Sequence, residues 1–320
     1  MSAQALYYKA LYDEEPGRQR RRLLSEASLQ VIRAEHLGMC FGVRDAIDLA
    51  IAHAEVKPLT ILGDLVHNAE VLAGLQAKGI AVAHDPARVT TNAVMVTAHG
   101  ASERTLSSTR ARGHEVIEAT CPLVHVAHRA VKSHVLNGYH PVIIGRRGHV
   151  EVRGLTEDLV AFDIVLEESD VRALEEHPRI GVAAQTTQPI DRVRRLVALI
   201  RRRFPQSDVR FIDTVCRPTK ERQNAAVELA RRCDVVIVIG GINSNNTHEL
   251  AKTCSQLCRR VHLVQTESDL RPEWLRATDT VGITAGTSTP DEVIDRVELR
   301  IRNLAVGRTP SVSDVTSSDL

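Results

Sequence analysis

The chain contains 320 residues with a formal net charge of +1, 3% aromatic residues and six cysteines. This length allows two or three compact domains, while the balanced charge and the scarce aromatic side chains argue against a nucleic-acid or membrane partner. The cysteines fit metal binding or redox chemistry in a reducing cytoplasm better than a disulfide framework. Because no apolar run could span a bilayer and the first residues do not resemble a signal peptide, we expect a soluble cytoplasmic protein.

Residues 1–29 differ in composition from the rest of the chain. They contain three of the four tyrosines, followed by a group of four arginines: Arg18, Arg20, Arg21 and Arg22. We expect a solvated, partly helical and flexible extension here, with a docking arm as the alternative.

Beyond the extension, short apolar runs alternate with amphipathic helical stretches, the pattern of α/β units with mainly parallel sheets. Six runs are predicted to be buried strands: 59–62, 93–97, 142–144, 181–184, 235–239 and 281–284. Most of them end in Gly, Ser, Thr, Asn or His, ahead of a predicted helix. Ligands of such folds bind at the carboxyl ends of the strands, so functional residues are expected in these polar turns.

Three cysteines stand directly before predicted helices. Cys40 precedes a helix predicted over 44–54, Cys121 lies between the strand-like run 115–117 and Pro122, and Cys216 has a similar position. Proline is well tolerated in a first helical turn, and a helix start favours a thiolate. For any one of these cysteines taken alone, a small buried thiol is the more common role.

Internal repetition indicates duplicated domains. The segment 180–189 is similar to 281–290, and the three cysteines recur at comparable spacing. We predict three related α/β domains at 30–120, 121–215 and 216–305, with Cys40 able to pack with the third, and a disordered tail at 306–320. A pseudo-threefold arrangement of these mainly parallel sheets would bring the three cysteines to one central point, where they could hold an iron–sulfur cluster.

Three thiolates on separate domains suit an iron–sulfur cluster or zinc. Structural zinc usually binds local Cys-x-x-Cys pairs, which this sequence lacks, so the cluster is favoured. With three such cysteines, one iron of a 4Fe-4S cluster would lack a protein thiolate and could meet the substrate. The other three cysteines are predicted to be buried structural thiols: Cys233, Cys254 and Cys258.

Polar turns follow five of the predicted strands. They are His67-Asn68, His99-Gly100, His149-Val150-Glu151, Ser244-Asn245-Asn246 and Thr287-Ser288. Helix N-termini offer free N–H groups, so this number of turns predicts a strongly anionic ligand such as a diphosphate, although N-capping alone could explain the serines and Thr287. Glu151 could transfer a proton to a bound substrate, the alternative being a surface glutamate that opens a helix.

Together these motifs resemble the LytB/IspH family of 4-hydroxy-3-methylbut-2-enyl diphosphate reductases. The resemblance covers residues 34–301. The matching segments are 38–43, 66–68, 98–100, 119–124, 148–152, 185–187, 213–216 with Arg222-Gln223, 243–246 and 284–288.

The resemblance implies three α/β domains around one 4Fe-4S cluster, which is held by Cys40, Cys121 and Cys216 and whose fourth iron is open to the substrate's hydroxyl. It implies that Glu151 supplies protons, with Thr186 and water. The residues expected at the substrate's diphosphate are His67, His99, His149, Ser244, Asn246 and Ser288, with Asn245 and Thr186 nearby.

The activity that the resemblance implies is the last step of the methylerythritol phosphate route to isoprenoids. Two electrons, from a donor such as ferredoxin or flavodoxin, and two protons would remove the hydroxyl of (E)-4-hydroxy-3-methylbut-2-enyl diphosphate. The products would be isopentenyl diphosphate and dimethylallyl diphosphate.

The sequence departs from the family pattern at two motif positions. Val150 stands where the family usually has proline, and Asn245 stands where a second serine is common. Asparagine can still donate to phosphate, so we expect altered affinity rather than lost activity. The alternatives are a non-redox iron–sulfur lyase or hydratase, with the open iron as a Lewis acid, and a cluster-based sensor paralogue.

Overall fold

The structure, a computed structural model, describes residues 29–306 and contains three four-stranded sheets in which neighbouring strands are parallel. The predicted class of three related α/β units with mainly parallel sheets is confirmed. Most of the predicted N-terminal extension and nearly all of the predicted tail lie outside the described residues. Between residues 29 and 306, no helix combines the length and apolar character that a bilayer crossing requires.

Strands and helices alternate along the chain. The strands are β1 (Gln30–Arg33), β2 (Leu59–Leu62), β3 (Ala81–Ala83), β4 (Ala93–Val96), β5 (Glu115–Glu118), β6 (His140–Ile144), β7 (Asp163–Val165), β8 (Arg179–Ala184), β9 (Asp208–Phe211), β10 (Val235–Ile239), β11 (Arg260–Val264) and β12 (Thr280–Ala285). The helices are α1 (Phe41–Ala54), α2 (Ala69–Ala77), α3 (Glu103–Ala111), α4 (Pro122–Leu136), α5 (Val150–Thr156), α6 (Glu168–Ala173), α7 (Ile190–Arg203), α8 (Arg217–Ala230), α9 (Asn245–Ser255) and α10 (Asp291–Val306).

The six apolar runs predicted as strands are confirmed as β2, β4, β6, β8, β10 and β12, two of them with the predicted bounds and the others with ends that differ by one or two residues. These are the two inner strands of each sheet. All five residues of β10 and all four of β4 are buried, because helices cover both faces of a parallel sheet and leave no face for polar side chains.

The three sheets repeat one topology. Their strand orders are β3-β2-β4-β5, β7-β6-β8-β9 and β11-β10-β12-β1. The third order equals the first two, except that its last strand comes from the start of the described chain, where Val31 pairs with Val281. The similarity between 180–189 and 281–290 is explained by this repeat, since β8 and β12 occupy the same place in their sheets.

Each of the helices α1, α4 and α8 begins after an edge strand of one sheet and packs against the next sheet. Helix α1 follows β1 and packs on β2, α4 follows β5 and packs on β6 and β8, and α8 follows β9 and packs on β10 and β12. The three crossings coincide with Cys40, Cys121 and Cys216. The elements on either side of 120/121 and of 215/216 belong to different sheets. The domain bounds at these positions stay a prediction.

Candidate active site

Cys40, Cys121 and Cys216 are the N-cap residues of α1, α4 and α8. Each backbone N–H donates a hydrogen bond to a carbonyl just past an inner strand: Cys40 to Thr287 at 3.0 Å, Cys121 to Ala98 at 3.1 Å and Cys216 to Thr186 at 3.0 Å. The same backbone contact therefore fixes each cysteine at the carboxyl end of a parallel sheet. The sequence-based prediction that all three stand at helix starts is correct.

The first turn of α1 lies directly against Cys121. A Cβ atom on Gly42 would come within 2.4 Å of the Cys121 Sγ atom, far inside van der Waals contact. Only a glycine allows the backbone of the Cys40 helix to approach the Cys121 sulfur this closely.

The free thiols of Cys121 and Cys216 do not have the lowered pKa that a helix start would confer. Burial raises the pKa of Cys121 and raises that of Cys216 to about 11, and the charge of Cys40 adds to both shifts. The N–H groups of Leu123 and Val124 act in the opposite direction on Cys121, but more weakly than burial. The prediction of a Cys121 thiolate is therefore wrong for the free thiol, and a metal that binds there must displace the proton.

The three thiols suit a cluster better than a single ion. They are free cysteines that influence each other electrostatically. Thiolates on one tetrahedral zinc lie about 3.8 Å apart, whereas these three sulfur atoms do not form a group within 4.8 Å among the described residues. Three soft thiolate donors at helix starts are a ligand set that iron–sulfur clusters use, so these residues fit that group.

The remaining cysteines pack together in the core beside β10. Cys254 and Cys258 are buried, and the half-buried Cys233 packs against the same apolar cluster. Cys258 donates weakly to nearby backbone carbonyls, including that of Cys233 at 3.5 Å. The prediction that these thiols are structural agrees with their positions.

His67, His99 and His149 converge from two sheets. His67 follows β2, His99 follows β4, and His149 caps α5 after β6. The ring centroids are separated by 4.4 Å for His67–His99, 5.3 Å for His67–His149 and 5.6 Å for His99–His149. Residues that are far apart in sequence thus form one cluster, which we call the histidine cluster.

All three imidazoles favour the neutral form. Burial lowers the pKa of each ring, to about 4 for His149 and well below the usual value for His99, and neighbouring rings of the cluster add to the shifts of His99 and His149. The His149 Nδ1 atom accepts a hydrogen bond from the Glu151 backbone N–H at 3.2 Å. In the neutral ring the proton must therefore lie on Nε2, which leaves an N–H donor for a ligand.

Buried amide groups lie at the start of α9, just after the turn following β10 that approaches His67. Asn245 and Asn246 lie in the first turn of α9, and the Asn245 Nδ2, Asn246 Nδ2 and Asn246 Oδ1 atoms are buried without a partner among the described residues. His67 Nδ1 and His99 Nδ1 have the same status. Buried polar groups are normally paired, so a concentration of unpaired ones indicates the place of a polar ligand.

The third sheet contacts the histidine cluster through backbone as well as side chains. Ser288 Oγ lies 3.4 Å from the His67 carbonyl oxygen, and a Cβ on Gly241 would come within 2.2 Å of that oxygen. Gly241 therefore has to be glycine for the turn after β10 to reach the turn after β2. Ser244 caps α9 by accepting from the Thr247 N–H, which agrees with the capping role considered for it.

The nitrogens of the histidine cluster lie within 4.8 Å of one another, a spacing at which they could also hold a metal ion. Metal-ligating histidines usually donate their other N–H to a carboxylate or carbonyl. Here, within residues 29–306, His67 Nδ1 and His99 Nδ1 have no partner, and His149 Nδ1 accepts from a backbone N–H. Neutral donors next to unpaired amides favour an anion over a cation.

Thr186 donates two hydrogen bonds to the buried carboxyl of Glu151. The Thr186 N–H donates to Glu151 Oε1 at 2.6 Å, and the Thr186 hydroxyl donates to Oε2 at 2.9 Å. Burial raises the pKa of Glu151 to about 7, although both hydrogen bonds act to lower it. The carboxyl is therefore poised between its two protonation states at neutral pH, as a proton donor requires.

The carboxyl of Glu151 also connects the histidine cluster with the cysteines. The carboxylate charge raises the pKa of both Cys121 and Cys216, and the backbone N–H of Glu151 donates to His149 Nδ1. The alternative of a surface glutamate is wrong, because only 1% of Glu151 is exposed. The candidate site residues thus lie in one continuous region at the carboxyl ends of the three sheets.

Arg146 is a charged neighbour that sequence patterns did not single out. Its side chain is exposed, and its charge lowers the pKa of His67 and His149. It lines a cleft of about 410 Å³ together with both histidines, so it could attract an anion towards the histidine cluster. The signal available in sequence was the position of Arg146 in the glycine-bounded turn after β6.

The amino-acid sequence was compared with protein-family models and with known proteins. The family model described as LytB protein matches residues 31–302. The 4-hydroxy-3-methylbut-2-enyl diphosphate reductase of Geobacter metallireducens is 35% identical over 283 residues, which cover 88% of this chain and 100% of the relative. The enzyme of that name from Aquifex aeolicus is 35% identical over 290 residues, covering 88% of this chain and 99% of the relative.

Solved structures agree with the sequence matches. The E-1-hydroxy-2-methyl-but-2-enyl-4-diphosphate reductase from Plasmodium falciparum superimposes with a TM-score of 0.80 at 26% identity, covering 85% of this chain and 88% of the other. A structure of (E)-4-hydroxy-3-methyl-but-2-enyl diphosphate reductase, the terminal enzyme of the non-mevalonate pathway, gives a TM-score of 0.62 at 34% identity, covering 86% and 99%. With its cysteines, histidine cluster and three-sheet fold in the described arrangement, the chain belongs to the LytB protein family.

Proposed function

We propose that this protein reduces (E)-4-hydroxy-3-methylbut-2-enyl diphosphate to isopentenyl diphosphate and dimethylallyl diphosphate. Its membership of a family whose relatives carry the name of this reductase supports the proposal. The observation that carries it is the position of Glu151: a buried carboxyl with a pKa of about 7 lies between the histidine cluster and two of the three cysteines. In this proposal Glu151 is the proton donor, the histidine cluster is the anion site and the cysteines form the redox site.

Cys40, Cys121 and Cys216 would hold one 4Fe-4S cluster. Three thiolates leave one iron without a protein ligand, and the group would pass the two electrons of the reaction, one at a time, from the external donor to the substrate. The three cysteines are half-buried, which would limit the access of water and oxygen to a bound cluster. The electron donor would be a small redox protein such as ferredoxin or flavodoxin, and the reducing cytoplasm is the compartment that suits an oxygen-sensitive cluster.

The diphosphate would bind at the histidine cluster. Neutral His149 offers its Nε2–H, and the unpaired amides of Asn245 and Asn246 offer further donors. Ser244 and Ser288 lie at the same strand ends and complete the set of hydroxyl donors. Because His149 and Glu151 share the first turn of α5, a diphosphate at His149 leaves the five-carbon part of the substrate next to Glu151.

Glu151 would deliver the protons. The overall change consumes two electrons and two protons, breaks the C–O bond of the hydroxyl and releases water, so a protonated acid must face the leaving oxygen. Once Glu151 has given up its proton, the N–H and hydroxyl of Thr186 stabilise the carboxylate that remains. Thr186 therefore controls both the orientation of the carboxyl and its readiness to release a proton.

The non-redox lyase and the sensor paralogue receive no support from the relatives, which are named as reductases. The Val150 and Asn245 departures leave the described site geometry complete. Val150 opens α5 with its backbone, and the Asn245 amide remains free to donate.

Anaerobic purification tests the proposal. We expect a brown protein that contains iron and acid-labile sulfide and that converts the hydroxylated substrate into the two isomeric diphosphates when reduced methyl viologen supplies electrons. Cys121→Ser should lose iron, while Cys233→Ser, at a half-buried thiol of the separate cysteine group, should retain it. A colourless protein loaded with zinc, or a diene or hydrated product formed without electron consumption, would contradict the proposal.

A further inference from the structure

Arg222 is a buried arginine that lies between two of the cysteine turns. It occupies the second turn of α8, the helix that Cys216 caps, and only 8% of it is exposed. Its Nε and Nη2 atoms both donate to the Gly38 carbonyl oxygen, at 2.9 and 2.7 Å, and its Nη1 atom donates to Pro218 at 3.1 Å. One guanidinium thus ties the turn that carries Cys40 to the helix that begins at Cys216.

The turn before Cys40 has few other restraints. Its backbone N–H groups reach the third sheet, from Gly38 to Ala285 at 3.2 Å and from Cys40 to Thr287 at 3.0 Å. The Gly38 carbonyl points the other way and is fixed by Arg222. The guanidinium therefore completes the clamp that sets the position of the Cys40 sulfur relative to Cys216.

The charge of Arg222 has no carboxylate partner in the part of the chain that the structure describes. Its hydrogen bonds go to backbone carbonyls, and the adjacent Glu221 is paired with Arg217 at 2.5 Å. A buried cation is costly unless an opposite charge compensates it. The groups whose negative charge would favour the protonated form of Arg222 against the effect of burial are the Cys40 and Cys216 thiolates and, more weakly, the Glu221 carboxylate.

We propose that Arg222 is a positioning residue for the iron–sulfur cluster. Arg222 holds the Cys40 turn in place and supplies a fixed positive charge that makes reduction of the cluster easier. The inference rests on the proposed function, since it requires the cluster to bind at Cys40, Cys121 and Cys216. Net charge and hydrogen bonding are among the properties that set the reduction potential of such clusters. A positive charge in a buried setting stabilises the reduced, more negative state more strongly than an exposed charge would.

The test compares full-length wild-type protein with Arg222→Gln, Arg222→Lys and Arg231→Gln, each prepared anaerobically with its cluster. Arg231 is an exposed residue at the C-terminal end of the same helix, so its substitution removes the same charge from the surface. Two quantities are measured: the iron and sulfide content per chain, and the midpoint potential of the cluster. The potential comes from a redox titration that is monitored by electron paramagnetic resonance.

We expect Arg222→Gln to shift the midpoint potential to a more negative value, Arg222→Lys to stay closer to wild type, and Arg231→Gln to be unchanged. Loss of iron from Arg222→Gln while Arg222→Lys and Arg231→Gln stay loaded supports the same assignment. A fully loaded Arg222→Gln protein with the wild-type potential would overturn it and leave the proposed function intact. Wild-type protein without iron and sulfide would refute the proposed function first, and the role of Arg222 with it.

Discussion

Thr186 donates two hydrogen bonds to one carboxylate, with its N–H on Glu151 Oε1 at 2.6 Å and its hydroxyl on Oε2 at 2.9 Å. The same residue accepts the backbone N–H of Cys216 at 3.0 Å. The end of β8 therefore holds the proton donor on one side and a proposed cluster ligand on the other. Because both contacts involve the backbone of Thr186, the distance between acid and cysteine is set by the fold.

Replacing Glu151 with glutamine should abolish proton delivery and spare substrate binding. The amide is nearly isosteric but cannot release a proton at neutral pH, so we expect kcat to fall roughly 100- to 10,000-fold. The dissociation constant for the substrate, measured calorimetrically, should stay within a few-fold of wild type. Glu176→Gln, at an exposed position, is the control and should be fully active. Full activity of Glu151→Gln would assign the proton to another group.

Thr186→Val should shift the pH dependence of the enzyme. The hydroxyl of Thr186 stabilises the ionised form of Glu151, whose pKa is raised by burial to about 7. Removal of that hydrogen bond raises the pKa further, so the alkaline fall in kcat/KM should move to higher pH, and Thr186→Ser should restore the wild-type profile. Superimposable pH profiles of kcat/KM for Thr186→Val and wild type would show that another group controls the alkaline limb.

The repeated pattern of strands could be predicted from the sequence because each inner strand is a continuous apolar run with no polar face. The helix starts at Cys40, Cys121 and Cys216 could be predicted as well, since a strand-like run or a proline accompanies them. The turns with His67, His149 and Ser244 could also be predicted, but not that β2, β6 and β10 before them occupy equivalent places in their sheets, because the repeats have diverged at these turns.

Two features depended on contacts between distant segments and were not accessible from local patterns. The pKa of Cys121 is raised by the packing of α1 around it, which a local helix start does not reveal. Arg222 is bound to a carbonyl 184 positions away in the sequence, so no spacing rule could connect it with Gly38. Burial and long-range pairing, rather than residue type, decide both cases.

Gly42→Ala should interfere with the thiol that faces it. Its new Cβ would lie 2.4 Å from the Cys121 sulfur, so the helix or the cysteine has to move, at a cost of about 1–3 kcal/mol in folding stability. We also expect less iron per chain. Gly74→Ala is the matched control, because a Cβ in that helix meets nothing within 4 Å and should stabilise the protein by about 0.4–1 kcal/mol. Equal iron content in both variants would contradict the assigned packing.

His149 should make the folded protein sensitive to mild acid. Its pKa is about 4 in the folded state, lowered mainly by burial from an ordinary value of 6.5, so the unfolded chain binds a proton first as the pH falls. Stability present above pH 6.5 is therefore lost between pH 6.5 and 4, by on the order of 3 kcal/mol. His149→Asn keeps an acceptor for the Glu151 N–H but does not titrate. In denaturant unfolding, the free energy of unfolding of this variant should therefore rise relative to that of wild type as the pH falls from 6.5 to 4.

Two comparisons make the His149 result specific. Glu151 contributes with the opposite sign, since its raised pKa costs stability as the pH rises towards 7, but it is present in both proteins and cancels. His84→Asn, which makes the same replacement at an exposed histidine outside the cluster, is the control. A constant difference between wild type and His149→Asn from pH 6.5 to 4 would mean that His149 is not held neutral by the fold.

The pairing of β1 with β12 has a consequence for biosynthesis. Cys40 follows β1 and emerges from the ribosome early, yet the strand that aligns β1 and the Thr287 carbonyl that accepts from Cys40 are among the last described parts of the chain to be made. During translation Cys40 therefore has no fixed position, whereas Cys121 finds its partner carbonyl at Ala98 already synthesised. All three thiols can be aligned only once the segment around Thr287 has been made, so the iron site cannot be completed by the N-terminal part of the chain alone.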